Sequence, residues 1–148
     1  MKPKVLIKEK IAQAGVDLLK KDYDVDIGVD WDRAELEKKI GLYDALIVRS
    51  ATQVDADLIA KADKLKIVGR AGIGVDNVDV EAATKRGVIV ANAPQSNIVS
   101  AAEHTIALLL AQSRNIPQAS ASLKSGKWER SKFEGVEVLE KTLGIVGM

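Results

Sequence analysis

The sequence predicts an α/β fold built on a parallel β-sheet. Short runs of β-branched and aliphatic residues recur five times, and segments with helix-capping signals separate them. Strands that alternate with helices form βαβ units, whose crossover connections make neighbouring strands parallel. The chain has 148 residues, which is long enough for one globular domain of ordinary size. Its composition, 47% hydrophobic and 29% charged, is typical of a globular protein.

Each element of this sheet has a local signal. Asp32, followed by Glu35, forms a capping box, and Gly41 can close the helix that begins there. Asp55 and Asp79 are the expected N-caps of the next two helices. The right-handed crossover rule leaves few topologies for five strands, and it favours the doubly wound, flavodoxin-like order. The predicted strands are Val5–Ile7, Val25–Ile27, Ala45–Val48, Lys66–Val68 and Val88–Val90.

The alternation stops after residue 91. Ser100 and Glu103 form a second capping box, which predicts a helix whose centre, Ile106–Ala111, is apolar on nearly every side. Such a helix is usually buried on several faces, so we expect it to leave the first domain and pack against something else. The next strand-like run is TLGIVG at 142–147.

Composition excludes several classes of function. The absence of cysteine excludes disulfides, zinc–thiolate sites and thiol nucleophiles, and we expect no metal site. A net charge of +1 gives no reason to expect nucleic acid or a membrane as partner. The N-terminal run MKPKVLIKEK is not a signal peptide, and the longest apolar stretch is too short to span a bilayer. We therefore expect a cytoplasmic protein.

The glycine-rich segment GRAGIGVDNVD at 69–79 departs twice from a dinucleotide-binding loop. Asn77 stands where the third glycine is needed, and Ala91–Asn92 stand where a ribose-binding acid is expected. The run TLGIVGM is a better candidate for the cofactor strand, because it reaches Gly147 where the first glycine of that motif would lie. We therefore expect a chain cut within a cofactor motif.

Five long contiguous stretches identify a family: LIVRSAT at 46–52, LKIVGRAGIGVDNVDVEAATKRGVIVANAP at 65–94, SNIVSAAEHTIALLLAQSRNIPQA at 96–119, GKWERSKFEG at 126–135 and KTLGIVGM at 141–148. They closely resemble the D-3-phosphoglycerate dehydrogenases, within the D-isomer-specific 2-hydroxyacid dehydrogenase family. The resemblance covers nearly the whole chain and implies an enzyme that oxidises 3-phosphoglycerate to 3-phosphohydroxypyruvate with NAD, in serine biosynthesis.

The resemblance also implies a division of the chain. Residues 1–97 would be a flavodoxin-like substrate-binding domain that lacks its C-terminal return segment. Residues 98–148 would be the crossing helix and the start of a truncated NAD-binding Rossmann domain. The catalytic histidine, glutamate and arginine of the family would lie beyond residue 148. We therefore expect no catalytic residue and no activity in this chain alone.

Candidate substrate-binding residues cluster after the strands. Arg49 and Ser50 follow the third strand at its carboxyl end, where doubly wound sheets bind ligands, and they suit a phosphate or carboxylate. The resemblance implies that the amides of Gly72, Ile73 and Gly74 hold the substrate carboxylate. It also implies that Ile73 lies near the nicotinamide, so Ile73 and Gly147 are the expected cofactor contacts.

The remaining candidates have ordinary structural alternatives. Asn97 matches a substrate-binding asparagine of the family but could equally be a turn residue. Arg130 and Lys132 match a basic segment that reaches the substrate pocket, or form a solvated charge run. Arg70 is interpreted as structural. His104, the only histidine, has no nucleophile beside it and is interpreted as an interface residue.

Two other functions of flavodoxin-like domains do not fit the residues that follow the strands. Lys8–Glu9 and Arg49–Ser50 do not match the acidic cluster of a phosphoacceptor domain, and no Ser/Thr-rich loop follows the first strand as in a flavodoxin. Two alternatives stay open: a non-catalytic folding or assembly module, and a parent enzyme for another small 2-hydroxy acid.

The apolar helix at Ser100–Arg114 and the strand at Leu143–Val146 predict a homodimer, which can exchange residues 100–148 between chains.

Overall fold

Five parallel strands form the sheet of the N-terminal unit. In a computed structural model that describes residues 2–146, the chain divides into two compact units, Met1–Asn97 and Ile98–Met148. The strand order is β2-β1-β3-β4-β5, which is the predicted flavodoxin-like order, and every neighbouring pair is parallel. The strands are β1 (Lys4–Ile7), β2 (Asp24–Ile27), β3 (Ala45–Val48), β4 (Ile67–Arg70) and β5 (Ile89–Asn92).

Four helices connect these strands: α1 (Gln13–Asp22), α2 (Arg33–Lys39), α3 (Ala56–Lys61) and α4 (Val80–Lys85). The three predicted aspartate caps are confirmed. Asp32, Asp55 and Asp79 each accept a hydrogen bond from the backbone N–H three residues later, at 2.8–2.9 Å. These carboxylates satisfy N–H groups that have no partner within the helix. Gly87 follows α4 with a φ of 69°, the left-handed conformation that ends many helices.

Gly41 does not end α2 as predicted. The helix ends at Lys39, and Gly41 lies in a 3₁₀ turn, Ile40–Leu42. Its φ is not positive, so the glycine is not required by a left-handed conformation. A Cβ at this position would lie 2.9 Å from the carbonyl oxygen of Lys61, and the glycine therefore allows this turn to pack closely against the end of α3.

The two faces of the sheet are covered unequally. Because each crossover is right-handed and the chain reverses direction after β2, α1 lies on one face and α2, α3 and α4 on the other. Beneath α2–α4 lies the main core, in which Leu6, Leu46 and Val68 are fully buried. On the α1 face, Ile7 is buried but Ile89 on β5 is 63% exposed. Among the described residues of the first unit, this face is therefore covered only near β1.

The C-terminal unit contains α5 (Ile98–Ser113), α6 (Ile116–Lys124) and a 3₁₀ turn at Arg130–Phe133. Asn115, with a φ of 51°, makes the turn between the helices, and its side-chain amide donates to the carbonyl of Glu134. No side chain between residues 98 and 146 is buried. Within the described residues, this unit has no hydrophobic core of its own.

Two predictions for the C-terminal unit are wrong. Residues 142–146 form no strand and are exposed, and Gly147 lies outside the described residues. A strand needs a neighbour to complete its backbone hydrogen bonds, and the described part of this unit provides none. In addition, α5 begins at Ile98, so Ser100 lies inside the helix and does not cap it. The apolar character of α5 was predicted correctly, but its start was not.

We expect Leu6→Ala to destabilise the first unit by about 2–5 kcal/mol, because Leu6 is fully buried on β1, an interior strand of the sheet. Leu18→Ala on the exposed side of α1 is the matched control and should change stability by less than about 0.5 kcal/mol. Urea unfolding followed by Trp31 fluorescence, with Trp128 replaced by Phe, measures both. Equal effects of the two substitutions would contradict this description of the core.

Candidate functional site

The loops after β3 and β4 emerge at the same edge of the sheet. Arg49 and Ser50 follow β3, and residues 71–74 follow β4. Val48 pairs with Arg70 across the two strands, so their carboxyl ends are level with each other. Both loops border a shallow depression of about 410 Å³, lined by Lys10, Ile11, Ala12, Arg49 and Ala71.

Two arginines at this edge have no acidic partner among residues 2–146. The Arg49 side chain is exposed. The Nε of Arg70 is buried and donates to no protein group in the described chain. A buried donor without an acceptor costs free energy, so an anion that reaches this nitrogen would be bound favourably. Arg70, interpreted from the sequence as structural, therefore joins the candidate site.

The glycine loop makes room for the Arg70 side chain. A Cβ at Gly72 would overlap the Nη1 of Arg70, so the glycine leaves space for this conformation of the arginine side chain, and its φ is not positive. The N–H of Gly72 donates to the carbonyl of Arg70 at 2.8 Å, which commits this amide to a tight turn. Among the described residues, the N–H groups of Ile73 and Gly74 donate to no protein acceptor. Only two of the three predicted amides are therefore available to a ligand.

The last strand supports this loop. The side-chain amide of Asn92 donates to the carbonyl of Ile73 at 2.6 Å, and the N–H of Ala93 donates to the carbonyl of Gly72 at 2.9 Å. Asn92 stands where a dinucleotide fold places an acid for the ribose. The hydrogen bond from Asn92 to the carbonyl of Ile73 explains why an asparagine and not an acid stands here, because a carboxylate would repel that carbonyl oxygen.

Glu9, which follows β1, fixes the backbone of the loop after β3. Its carboxylate accepts hydrogen bonds from the N–H groups of Arg49 (2.9 Å), Ala51 (3.1 Å) and Thr52 (2.9 Å). Burial alone would raise the pKa of Glu9, but these donors favour the ionised form, and the pKa lies below its ordinary value. The sequence identified Glu9 only as unlike a phosphoacceptor site and missed this role.

Asn77 fixes the same loop from the opposite side. Its side-chain amide donates to the carbonyls of Arg49 (2.8 Å) and Thr52 (2.7 Å), and the residue is 3% exposed. The opposite orientation of the amide would place an oxygen against two carbonyl oxygens, so these contacts define which atom is the nitrogen. The residue that broke the dinucleotide pattern is therefore needed to hold Arg49. We refer to these two side chains together as the Glu9–Asn77 clamp.

Ser50 lies next to Arg49 in the loop after β3, and the remaining sequence-predicted residues belong to other segments of the chain. Asn97 is an exposed turn residue at the end of that unit. Arg130 and Lys132 lie in the 3₁₀ turn of the second unit, where Lys132 pairs with Glu129. His104 is exposed on α5.

Comparisons with known proteins agree with the arrangement of strands and loops. Residues 5–141 match the sequence model of the family described as "D-isomer specific 2-hydroxyacid dehydrogenase, catalytic domain". The chain belongs to the D-isomer specific 2-hydroxyacid dehydrogenase family. The resemblance of the sequence to this family is therefore confirmed, as is the α/β fold.

Within this family, the chain is similar to proteins named D-3-phosphoglycerate dehydrogenase. The chain is 50% identical over 146 residues to D-3-phosphoglycerate dehydrogenase from Archaeoglobus fulgidus, covering 98% of this chain and 28% of that protein. It is 55% identical over 147 residues to chloroplastic D-3-phosphoglycerate dehydrogenase 3 from Arabidopsis thaliana, covering 99% and 25%. The chain thus spans about a quarter of the length of these relatives.

A solved structure is also similar, the NAD⁺-bound 3-phosphoglycerate dehydrogenase of Entamoeba histolytica. The TM-score is 0.64 and the identity 27%, over 77% of this chain and 40% of that one.

Across the part of the chain that the structure describes, no helix combines the length and apolar character needed to cross a membrane.

The lowered pKa of Glu9 predicts how its contribution to stability depends on pH. A pKa below the unfolded-state value means that Glu9 stabilises the fold above that value and loses its effect as the pH falls through the folded-state pKa. We expect Glu9→Gln to lower the free energy of unfolding near neutral pH, and the difference from wild type to shrink near pH 3.

Urea unfolding at the two pH values measures this difference. Glu81→Gln is the control, because Glu81 is exposed and, among residues 2–146, its carboxylate pairs only with Lys85 on its own helix. A difference between wild type and Glu9→Gln that stays constant or grows in acid would contradict the contacts assigned to Glu9.

Proposed function

We propose that this chain is part of an NAD-dependent oxidoreductase that converts 3-phosphoglycerate to 3-phosphohydroxypyruvate in serine biosynthesis. The observation that supports this most is the pair of arginines, Arg49 and Arg70, that have no acidic partner among residues 2–146 and lie beside the amides of Ile73 and Gly74. Membership of the family supports a 2-hydroxy acid as substrate, and the names of the relatives support 3-phosphoglycerate within that class. In this proposal residues 1–97 bind substrate, and residues 98–148 begin the NAD-binding part.

The substrate carries a carboxylate and a phosphate, and the edge of the sheet offers donors for such groups. A guanidinium presents parallel N–H donors that match two oxygens of one anion. Backbone amides can approach a carboxylate closely where glycine provides the space. We assign the carboxylate to the Ile73 and Gly74 amides, and we assign Arg49 and Ser50 to contacts with the substrate anion. Asn97 and Arg130 remain further candidates for substrate contact.

The described residues do not by themselves form a dinucleotide site. Asn77 replaces the third glycine of the fingerprint, and its amide is committed to the loop after β3. The side chain of Ile73, 40% exposed, is the one apolar group at this edge that we assign to the nicotinamide. The other expected cofactor contact, Gly147, lies outside the described residues. When bound, NAD would accept the hydride from the substrate, and the residues described here would only hold and orient that substrate.

We expect the 148-residue chain to bind 3-phosphoglycerate weakly, with a Kd of about 1 mM, and Arg49→Ala to weaken this by roughly tenfold, since a charge-assisted contact is lost. NMR titration of the backbone amides measures both values. Arg86→Ala is the matched control: it removes the same charge from the amino edge of the sheet, where Arg86 contacts Asp63 and the carbonyl of Ala60. Equal affinities for wild type and Arg49→Ala would mean that the site is misassigned.

The same titration separates the alternative substrates. Glyoxylate and D-lactate carry a carboxylate but no phosphate, and inorganic phosphate carries no carboxylate. If 3-phosphoglycerate binds no more tightly than glyoxylate, the parent enzyme acts on another small acid. If no anion shifts the amides of residues 71–74, the chain is better explained as a folding or assembly module.

We also propose that the chain associates into a homodimer through residues 100–148. The helix α5 buries no side chain, and Ile106, Leu109 and Leu110 are each at least 38% exposed. Exposed apolar patches of this kind usually mark an interface. A two-fold dimer is the commonest closed assembly.

Light scattering at micromolar concentration should therefore give the mass of a dimer for wild type and of a monomer for Leu109→Glu, because the glutamate would bury an unpaired charge. Leu18→Glu on α1, exposed in the first unit, is the control and should remain dimeric. A wild-type chain that is monomeric, and unchanged by Leu109→Glu, would contradict the association.

A further inference from the structure

The backbone of Arg49 is held by two distant side chains at once. Its N–H donates to Glu9 and its carbonyl accepts from Asn77. Thr52, at the other end of the loop, is held in the same way. The two side chains thereby fix both ends of a four-residue segment whose backbone has left the β-ladder.

The arginine side chain itself contributes little to its own placement. Arg49 is exposed, and in residues 2–146 its guanidinium makes no hydrogen bond or ion pair with another side chain. An unrestrained arginine loses side-chain entropy when a ligand orders it. The direction in which this side chain leaves the sheet is therefore set by the backbone, and the backbone is set by the Glu9–Asn77 clamp.

We propose that Glu9 and Asn77 are positioning residues, which hold Arg49 in place for the anionic substrate without contacting that substrate. The proposal rests on the proposed function, in which Arg49 binds the anion. It predicts that substrate binding is strengthened by the carboxylate of Glu9, although this negative charge itself repels the anionic substrate.

Charge makes the proposal testable by the sign of the effect. A carboxylate near an anion site opposes anion binding, so neutralising Glu9 should tighten binding if only electrostatics matter. The glutamine of Glu9→Gln has nearly the same shape, but its NH₂ group would face the N–H of Ala51 in place of an oxygen. If the clamp positions Arg49, the loop loosens and binding weakens. The two effects have opposite signs.

The experiment is NMR titration of the 148-residue chain with 3-phosphoglycerate, for wild type, Glu9→Gln, Arg49→Ala and the double variant. We expect Glu9→Gln to weaken binding roughly threefold to tenfold. The double variant should bind no more weakly than Arg49→Ala alone, because a positioning residue has no effect once the residue it positions is gone.

Asp44→Asn is the matched control. Asp44 also accepts a backbone N–H, from Lys4, and pairs with Lys66, but it lies at the amino edge of the sheet. Its substitution should leave the affinity for 3-phosphoglycerate unchanged. A loss of affinity with Asp44→Asn as large as with Glu9→Gln would show a general effect of weakened folding and overturn the proposal.

Three further results would overturn it. Unchanged or tighter binding by Glu9→Gln, with Arg49→Ala still weakened, would remove the positioning role and leave the proposed function intact. Additive losses in the double variant would show that Glu9 acts independently of Arg49. No effect of Arg49→Ala would overturn the proposed site together with the clamp.

If Glu9→Gln does not fold, Glu9→Asp, which keeps the charge and shortens the reach, is titrated in its place with the same expectations.

Discussion

At the end of β3 the backbone leaves the hydrogen-bonding ladder, and its polar groups must find other partners. Buried or half-buried N–H and carbonyl groups without partners are costly, so this constraint has to be met before the edge of the sheet can present any side chain. Glu9 meets it from β1 and Asn77 from the segment that enters α4. The loop carrying Arg49 is thus tied to both of its neighbours in the sheet.

The parallel topology explains why these partners are within reach. Strand β3 lies between β1 and β4, so the loops after all three strands meet at one edge. The parallel bridge between Val54 and Val78 extends the connection beyond the ends of the strands. An asparagine replaces the third glycine of a dinucleotide loop at this point. A loop that resembles a cofactor motif in sequence therefore holds the backbone of the neighbouring loop, after β3, through the side chain of Asn77.

The elements set by local chemistry could be predicted from the sequence. The strands lie within two residues of their predicted positions, and the caps Asp32, Asp55 and Asp79 act as predicted, because each lies next to the helix start that it caps. The cap predicted at Ser100 was wrong, because α5 begins at Ile98. The strand predicted at 142–147 failed because a strand also depends on a neighbour, which pattern alone does not supply.

The candidate site could be predicted only in part. The position of Arg49, Ser50 and the glycine loop followed from strand order and the family resemblance. Glu9 and Asn77 were missed because their contacts join residues 25 to 43 positions apart, and Arg70 because its unpaired Nε depends on three-dimensional packing. The asparagine in the glycine-rich loop, Asn77, was the one available signal, and it was interpreted only as a departure from a motif.

The central claim is that a backbone loop held by Glu9 and Asn77 presents Arg49 to an anionic substrate. A crystal structure of the chain with 3-phosphoglycerate tests this most directly. The account predicts a ligand anion within hydrogen-bonding distance of the Arg49 guanidinium and of the Ile73 and Gly74 amides, with Glu9 still accepting the N–H of Arg49 and making no contact with the ligand. A ligand bound away from this edge, or a loop that has released Glu9 in order to bind it, would contradict the account.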